Sequence, residues 1–272
     1  MIMCAAANLA AAFFDIIRRV IYMQEKYAVT TKEFSCISPI GQTIRGKIYL
    51  PEKSGRLRTL IVSHGFGGNY RMLEHHGSDI AAQGIACIFY DFCGGGMDSL
   101  SDGRMDQMTL KTEEGDLLSV IEYAKQMPFV DPSRLYLLGE SQGGMVSALA
   151  ASLRAGDIKG LVLWYPAFVI PDDSAKRKQA GRPEVFGIKL SPEYDDVAAA
   201  VNVTEVQKAY PGPVLIIHGD ADPVVPIDYS YRAEKAYPNA RLIVLPGAGH
   251  GFDAPEGIKA RTETIKFVLE DE

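Results

Sequence analysis

The 272-residue chain is 47% hydrophobic and 23% charged, globular proportions that exclude a disordered or collagen-like polymer. Its net charge of -6, with no basic face apparent, argues against a nucleic-acid partner, because phosphate binding needs clustered Lys and Arg. The length suits one large α/β domain or two small ones, and no linker divides it.

Met1 to Phe14 is nearly all apolar or alanine, yet Arg18 and Arg19 follow the run instead of preceding it, unlike a signal peptide. Asp15 stops the run short of the roughly 20 residues that span a bilayer, so no membrane partner is expected. Leu9, Phe13, Ile16, Ile17 and Val20 share one helical face, which predicts an amphipathic extension over 1–28, docked on the body or on the second subunit of a homodimer. Met23 as the natural start is a competing reading. The four cysteines, Cys4, Cys36, Cys87 and Cys93, form no C-x-x-C pair, so reduced thiols in a cytoplasmic protein without a metal site are expected.

From residue 29 to 272 a single domain is predicted. Lys32–Ile37 and Thr43–Tyr49, separated by a turn sequence, predict an antiparallel hairpin. Apolar strands then alternate with helices: strands at 60–63, 85–90, 135–138, 161–165, 214–217 and 242–245, helices at 72–83, 110–127, 142–154, 229–237 and 257–270. That rhythm predicts an α/β fold, with a mostly parallel sheet covered on both faces. Pro166 to Pro213 breaks it with several prolines and no buried strand, and is too long for an ordinary connection. A lid insertion over about 166–213 is the expectation; because it leaves the strand beside 135–138, it should overhang that strand's end.

At that end lies Gly139-Glu140-Ser141-Gln142-Gly143, a G-x-S-x-G between strand and helix. Flanking glycines permit a turn sharp enough to expose Ser141 Oγ in a strained conformation, and the helix aims free N–H groups at the same spot. A serine nucleophile needs a base and an orienting acid. His75 and His76 read as solvent-facing, and His64 and His218 as loop-fixing residues bonded to backbone. His250, in the glycine-rich loop after the last strand, is the candidate base. Asp222 is the candidate acid: it lies further along its loop than Asp220 and is stiffened by Pro223. The N–H groups of Phe66 and Gln142 are the candidate oxyanion donors.

These motifs, His64-Gly65-Phe66-Gly67-Gly68, Gly139 to Gly144, His218 to Asp222 and Gly249 to Phe252, resemble the set found in the α/β-hydrolase superfamily. Within it the chain is most similar to bacterial cinnamoyl and feruloyl esterases and related carboxylesterases, over about Lys32 to Leu269. Tyr90-Asp91-Phe92 leading to Ser101-Asp102-Gly103 adds to the likeness. The resemblance implies a serine carboxylesterase acting on a small-molecule ester through an acyl-enzyme, with no cofactor. A peptidase or acylglycerol lipase of the same fold, or a non-catalytic binding protein, are the alternatives. By placement, Asp173 and Tyr194 resemble the lid residues that contact a phenolic hydroxyl, although Asp173 capping a helix and Tyr194 simply packing is the other reading. One departure is Gly94-Gly95-Gly96, where the family loop usually has G-H-G and a polar contact near the pocket.

Overall fold

The computed structural model describes residues 27–182, 184–252 and 254–270. The amphipathic face expected around Leu9 to Val20 lies outside them. Among the described residues an eight-stranded sheet runs through the molecule. The hairpin forms from β1 (Val29–Ile37) and β2 (Thr43–Pro51), antiparallel with Ile37 opposite Thr43. Then come β3 (Leu57–Ser63), β4 (Ala86–Tyr90), β5 (Val130–Glu140) and β6 (Gly160–Trp164). A two-residue pair, β7 (Glu184–Val185) and β8 (Ile188–Lys189), stands apart, and β9 (Val214–Gly219) and β10 (Ala240–Leu245) complete the sheet. The order is β1-β2-β4-β3-β5-β6-β9-β10, antiparallel up to the β2–β4 pairing and parallel thereafter.

Helices cover both faces because the strands alternate between two cores. Ile61, Leu137, Leu163 and Ile216 face α2 (Leu110–Lys125) and α3 (Ser141–Leu153), while Leu60, Leu138, Trp164 and Ile217 face α1 (His75–Ala81) and α8 (Glu256–Leu269). A strand buried on both sides must be apolar at every position, which is why these segments read as continuous hydrophobic runs. This is the α/β-hydrolase fold.

Helix α1 starts later than the sequence pattern predicts. Tyr70–Met72 forms a 3-10 turn capped by the Asn69 side chain, and the α-helix begins only at His75. His76, in its first turn, is buried, correcting its reading as solvent-facing: its ring packs edge-on against Trp164 at 5.1 Å, and burial pushes its pKa down to about 3. His75 beside it is exposed.

Between β6 and β9, neighbours in the sheet, the chain builds α4 (Ile170–Ala180), the β7–β8 hairpin, α5 (Pro192–Ala199) and α6 (Val203–Lys208). Helix α7 (Asp228–Ala236) follows β9. Among the described residues no helix is long and apolar enough to cross a membrane.

Candidate active site

The candidate residues gather at the carboxyl ends of the parallel strands, the usual ligand side of an open parallel sheet. Strand β5 passes directly into α3 at Ser141, whose φ of 50° lies in the left-handed region that costs a non-glycine residue energy. The close packing here demands glycine. A Cβ on Gly139 would sit 2.2 Å from the Gly143 carbonyl oxygen, and one on Gly143 would sit 2.4 Å from that of Ser63.

Beyond β10, the His250 ring reaches Ser141. Its Nε2 is 2.9 Å from Ser141 Oγ and its Nδ1 is 2.7 Å from Asp222 Oδ2. Because a carboxylate can only accept, Nδ1 carries the proton and Nε2 is free to accept from the serine hydroxyl. Asp222, in the turn after β9, has no solvent-exposed side-chain surface. Burial pushes its pKa up, but four donors outweigh that: His218 Nε2–H at 3.1 Å, His250 Nδ1–H, and the N–H groups of Val225 and Val224 at 2.9 and 2.8 Å. The net effect holds this carboxyl well below the usual range, so it stays ionised.

The sequence reads His218 as a residue bonded to backbone, and that is half of what it does. Its Nε2–H is shared between the Val225 carbonyl oxygen and Asp222, each at 3.1 Å, leaving Nδ1 to accept from Ser230 Oγ at 2.6 Å. The spacing of four between His218 and Asp222 was the only sequence signal of the pairing. Asp220, by contrast, accepts from Gly247 N–H at 2.6 Å and is not drawn into the His250 contact.

The N–H groups of Phe66 and Gln142 have no acceptor among the described residues. The loop carrying Phe66 is held by His64, whose Nε2 accepts from Phe92 N–H at 3.1 Å while Nδ1–H donates to the Gly65 carbonyl oxygen at 2.8 Å. Burial lowers the His64 pKa and so favours that neutral form. Gly95 and Gly96 pack against the same loop: Gly67 N–H donates to Gly95 O at 2.9 Å, and a Cβ on Gly96 would lie 2.0 Å from Gly68 O. The departure from G-H-G therefore corresponds to a close glycine contact with this loop.

A cavity of about 340 Å³ opens beside Ser141. Phe66, Ala167, Ile170, Phe186 and Val225 give it apolar walls, and Asp173, Arg177, Glu184 and Tyr194 bring polar groups from the insertion. Asp173, in the first turn of α4, pairs with Lys176 at 3.1 Å. Tyr194 is 1% exposed, and its hydroxyl donates to Gln142 Oε1 at 2.6 Å. Gln142 Nε2–H donates in turn to Glu113 Oε2 at 2.8 Å, a connection no sequence pattern indicated. The structure thus brings together Ser141, His250 and Asp222, sets Phe66, Gln142 and Asp173 around the same cavity, and engages the Tyr194 hydroxyl with protein. Among the described residues no cluster of His, Cys, Asp and Glu is arranged to hold a metal ion.

A protein family described as serine aminopeptidase, S33 matches residues 56–210, more than half of the chain, and one described as the alpha/beta hydrolase fold matches residues 171–252. The chain belongs to the first of these, within the α/β-hydrolase fold. It is 30% identical over 240 residues to the uncharacterized protein YfhR of Salmonella typhimurium, covering 81% of this chain and 75% of that protein. YisY of Bacillus subtilis, an AB hydrolase superfamily protein, is 24% identical over 259 residues, covering 79% of this chain and 93% of YisY. Among solved structures, Est1E from Butyrivibrio proteoclasticus with ferulic acid bound superposes with a TM-score of 0.76 at 29% identity, over 87% of this chain and 98% of Est1E.

Proposed function

We propose that the protein is a serine hydrolase that cleaves small carboxylic esters through an acyl-enzyme. The observation that carries this reading is the unbroken hydrogen-bond chain Ser141–His250–Asp222 opening onto a cavity within the range of small-molecule sites, about 300–1,000 Å³. Ser141 Oγ attacks the ester carbonyl carbon as its proton passes to His250 Nε2. The oxyanion so formed is stabilised by the N–H groups of Phe66 and Gln142. Collapse breaks the bond to the alkoxy oxygen, which leaves with the proton from His250. Water then attacks the acyl-serine, with the same imidazole taking its proton and returning it to Ser141. Asp222 stays ionised and stabilises the imidazolium in both halves.

Hydroxycinnamoyl esters, or other small aryl and alkyl esters, are the proposed substrates. Support comes from the largely apolar walls, from the Asp173 carboxylate on the insertion, and from the likeness to a protein with ferulic acid bound. Because the Tyr194 hydroxyl is committed to Gln142, Asp173 is the better-placed acceptor for a phenolic hydroxyl. In this reading the insertion acts as the lid. A second reading, an aminopeptidase, is favoured by the family description and by the Asp173 and Glu184 carboxylates, which suit a substrate ammonium group.

The test begins with a fluorophosphonate probe: wild type should be labelled and S141A should not, with kcat lowered about a millionfold. An S141A protein that kept a tenth of the rate would end the serine assignment. On methyl ferulate, methyl p-coumarate and methyl cinnamate, wild type should favour the hydroxylated esters, and D173A should lose most of that preference. Equal kcat/KM on all three would leave a general esterase, and faster cleavage of aminoacyl amides than of any ester would favour the peptidase.

A further inference from the structure

Glu140, immediately before Ser141, directs its two carboxylate oxygens at two different parts of the site. Oε1 accepts the N–H of Gly65 at 3.2 Å, and Oε2 accepts a short hydrogen bond from the Tyr165 hydroxyl. Each contact leads to a group with a role in the reaction proposed above.

Gly65 lies one residue before Phe66, whose N–H faces the developing oxyanion. The Gly65 carbonyl oxygen is already held by His64 Nδ1–H at 2.8 Å and Gly68 N–H at 3.1 Å. Its amide end is held by Glu140, so this contact holds the peptide plane immediately before the one that carries the Phe66 N–H, and with the carbonyl contacts it constrains the torsion between the two.

Tyr165 follows β6 directly with a φ of 37°, in the left-handed region where a bulky residue is strained. Its backbone N–H is tied to Ile217 O at 2.8 Å, and its ring lies 4.8 Å from that of His250, inclined at 62°. Burial, and then the Glu140 charge, push the phenol well above its ordinary pKa, keeping the hydroxyl a donor. The wall against which the imidazole rests is therefore anchored at its far end by Glu140.

We propose that Glu140 is a positioning residue, a single carboxylate that aligns the oxyanion loop through Gly65 and the base through Tyr165. The inference rests on the serine-hydrolase reading above. It explains why a charged side chain stands beside the nucleophile without touching the proposed reacting atoms: it acts through two neighbours.

Kinetics on p-nitrophenyl acetate test it. S141A first sets the baseline: if wild type is inert, both the functional reading and this inference fall. With an active wild type, E140A should lower kcat about 100-fold, the order lost with one oxyanion donor, with KM and melting temperature close to wild type. E140Q keeps an oxygen for Gly65 N–H and should recover most of that rate. Y165F leaves the Gly65 contact intact and should lose about tenfold in kcat, the smaller share of the effect. A trifluoromethyl ketone, which adds to the serine as a tetrahedral adduct, should lose affinity in parallel with kcat/KM across the three variants. A general loosening would move KM and the melting temperature without that parallel. An E140A enzyme with wild-type kcat would overturn the inference while leaving the functional reading standing. If E140A does not fold, wild-type kcat together with undiminished ketone affinity in Y165F would overturn it equally.

Discussion

Two carboxylates near Ser141 are withdrawn from water, and they end in opposite charge states. Asp222, in the turn after β9, meets two imidazole N–H groups and two backbone N–H groups and is held ionised. Glu113, on α2 behind the nucleophile helix, receives the Gln142 amide and has Asp116 on its own helix, and burial raises it to about 8. Both side chains are shut away, so burial alone does not decide the charge. What decides it is how many donors face the carboxylate. A turn presents successive amides to one side chain, as Val224 and Val225 do, whereas amides inside a helix are already spent on the helix. A loop after a strand can therefore hold a buried anion that a helix interface leaves protonated.

The largest effect should come from breaking the charged member. D222N keeps the shape but places an amide where His250 Nδ1–H needs an acceptor, favouring the wrong imidazole tautomer. The rate kcat should fall about 10⁴-fold with little change in KM, as measured by steady-state hydrolysis of an aryl ester. The same substitution should reduce acid sensitivity. A carboxyl depressed in the folded state stabilises the fold above its unfolded value of about 3.9, and that contribution is lost as pH falls through its folded value. A D222N enzyme within tenfold of wild type would show that the ionised acceptor is unnecessary, and the contrast with Glu113 would lose its functional meaning.

The two regions also differ in how far the sequence reveals them. Strands such as Leu161 to Trp164 and the turn at Ser141 are legible because burial on both faces and a forced backbone leave direct residue signatures. Asp222 and His250 follow from their positions after β9 and β10. The role of His218 was only half visible, since a pairing across a turn has no periodicity to betray it. His76 is buried where the sequence reads it as solvent-facing, because it packs against Trp164, a contact between segments far apart in the chain that leaves no local pattern. Glu113 and Asp116 gave no warning at all: acidic residues in an amphipathic helix look solvated until its neighbours are known. The β7–β8 hairpin, two residues on each side, is too short for any alternation to register.

The uncharged member of the pair should be detectable as a pH effect on stability. An unfolded glutamate releases its proton near pH 4.3, while the folded protein holds that of Glu113 until about 8. Between those values the native state binds more protons than the unfolded chain, so stability falls as pH rises. The contribution is complete below the unfolded value and is lost on passing the folded one. Asp116, raised by burial to about 7, acts in the same direction. Asp222 acts in the opposite one, so the two regions should mark opposite limbs of the stability profile. In E113Q the side chain is neutral throughout, and its amide oxygen still accepts from Gln142 Nε2–H. Thermal unfolding followed by circular dichroism from pH 5 to 9 should therefore show a flatter profile in E113Q. At pH 5 the variant should be no more stable than wild type, and at pH 9 it should melt about 5 °C higher, consistent with relief of roughly 1–2 kcal/mol. Parallel profiles across the whole range would mean that Glu113 ionises normally despite its burial, and that the single amide from Gln142 suffices to hold a charge there.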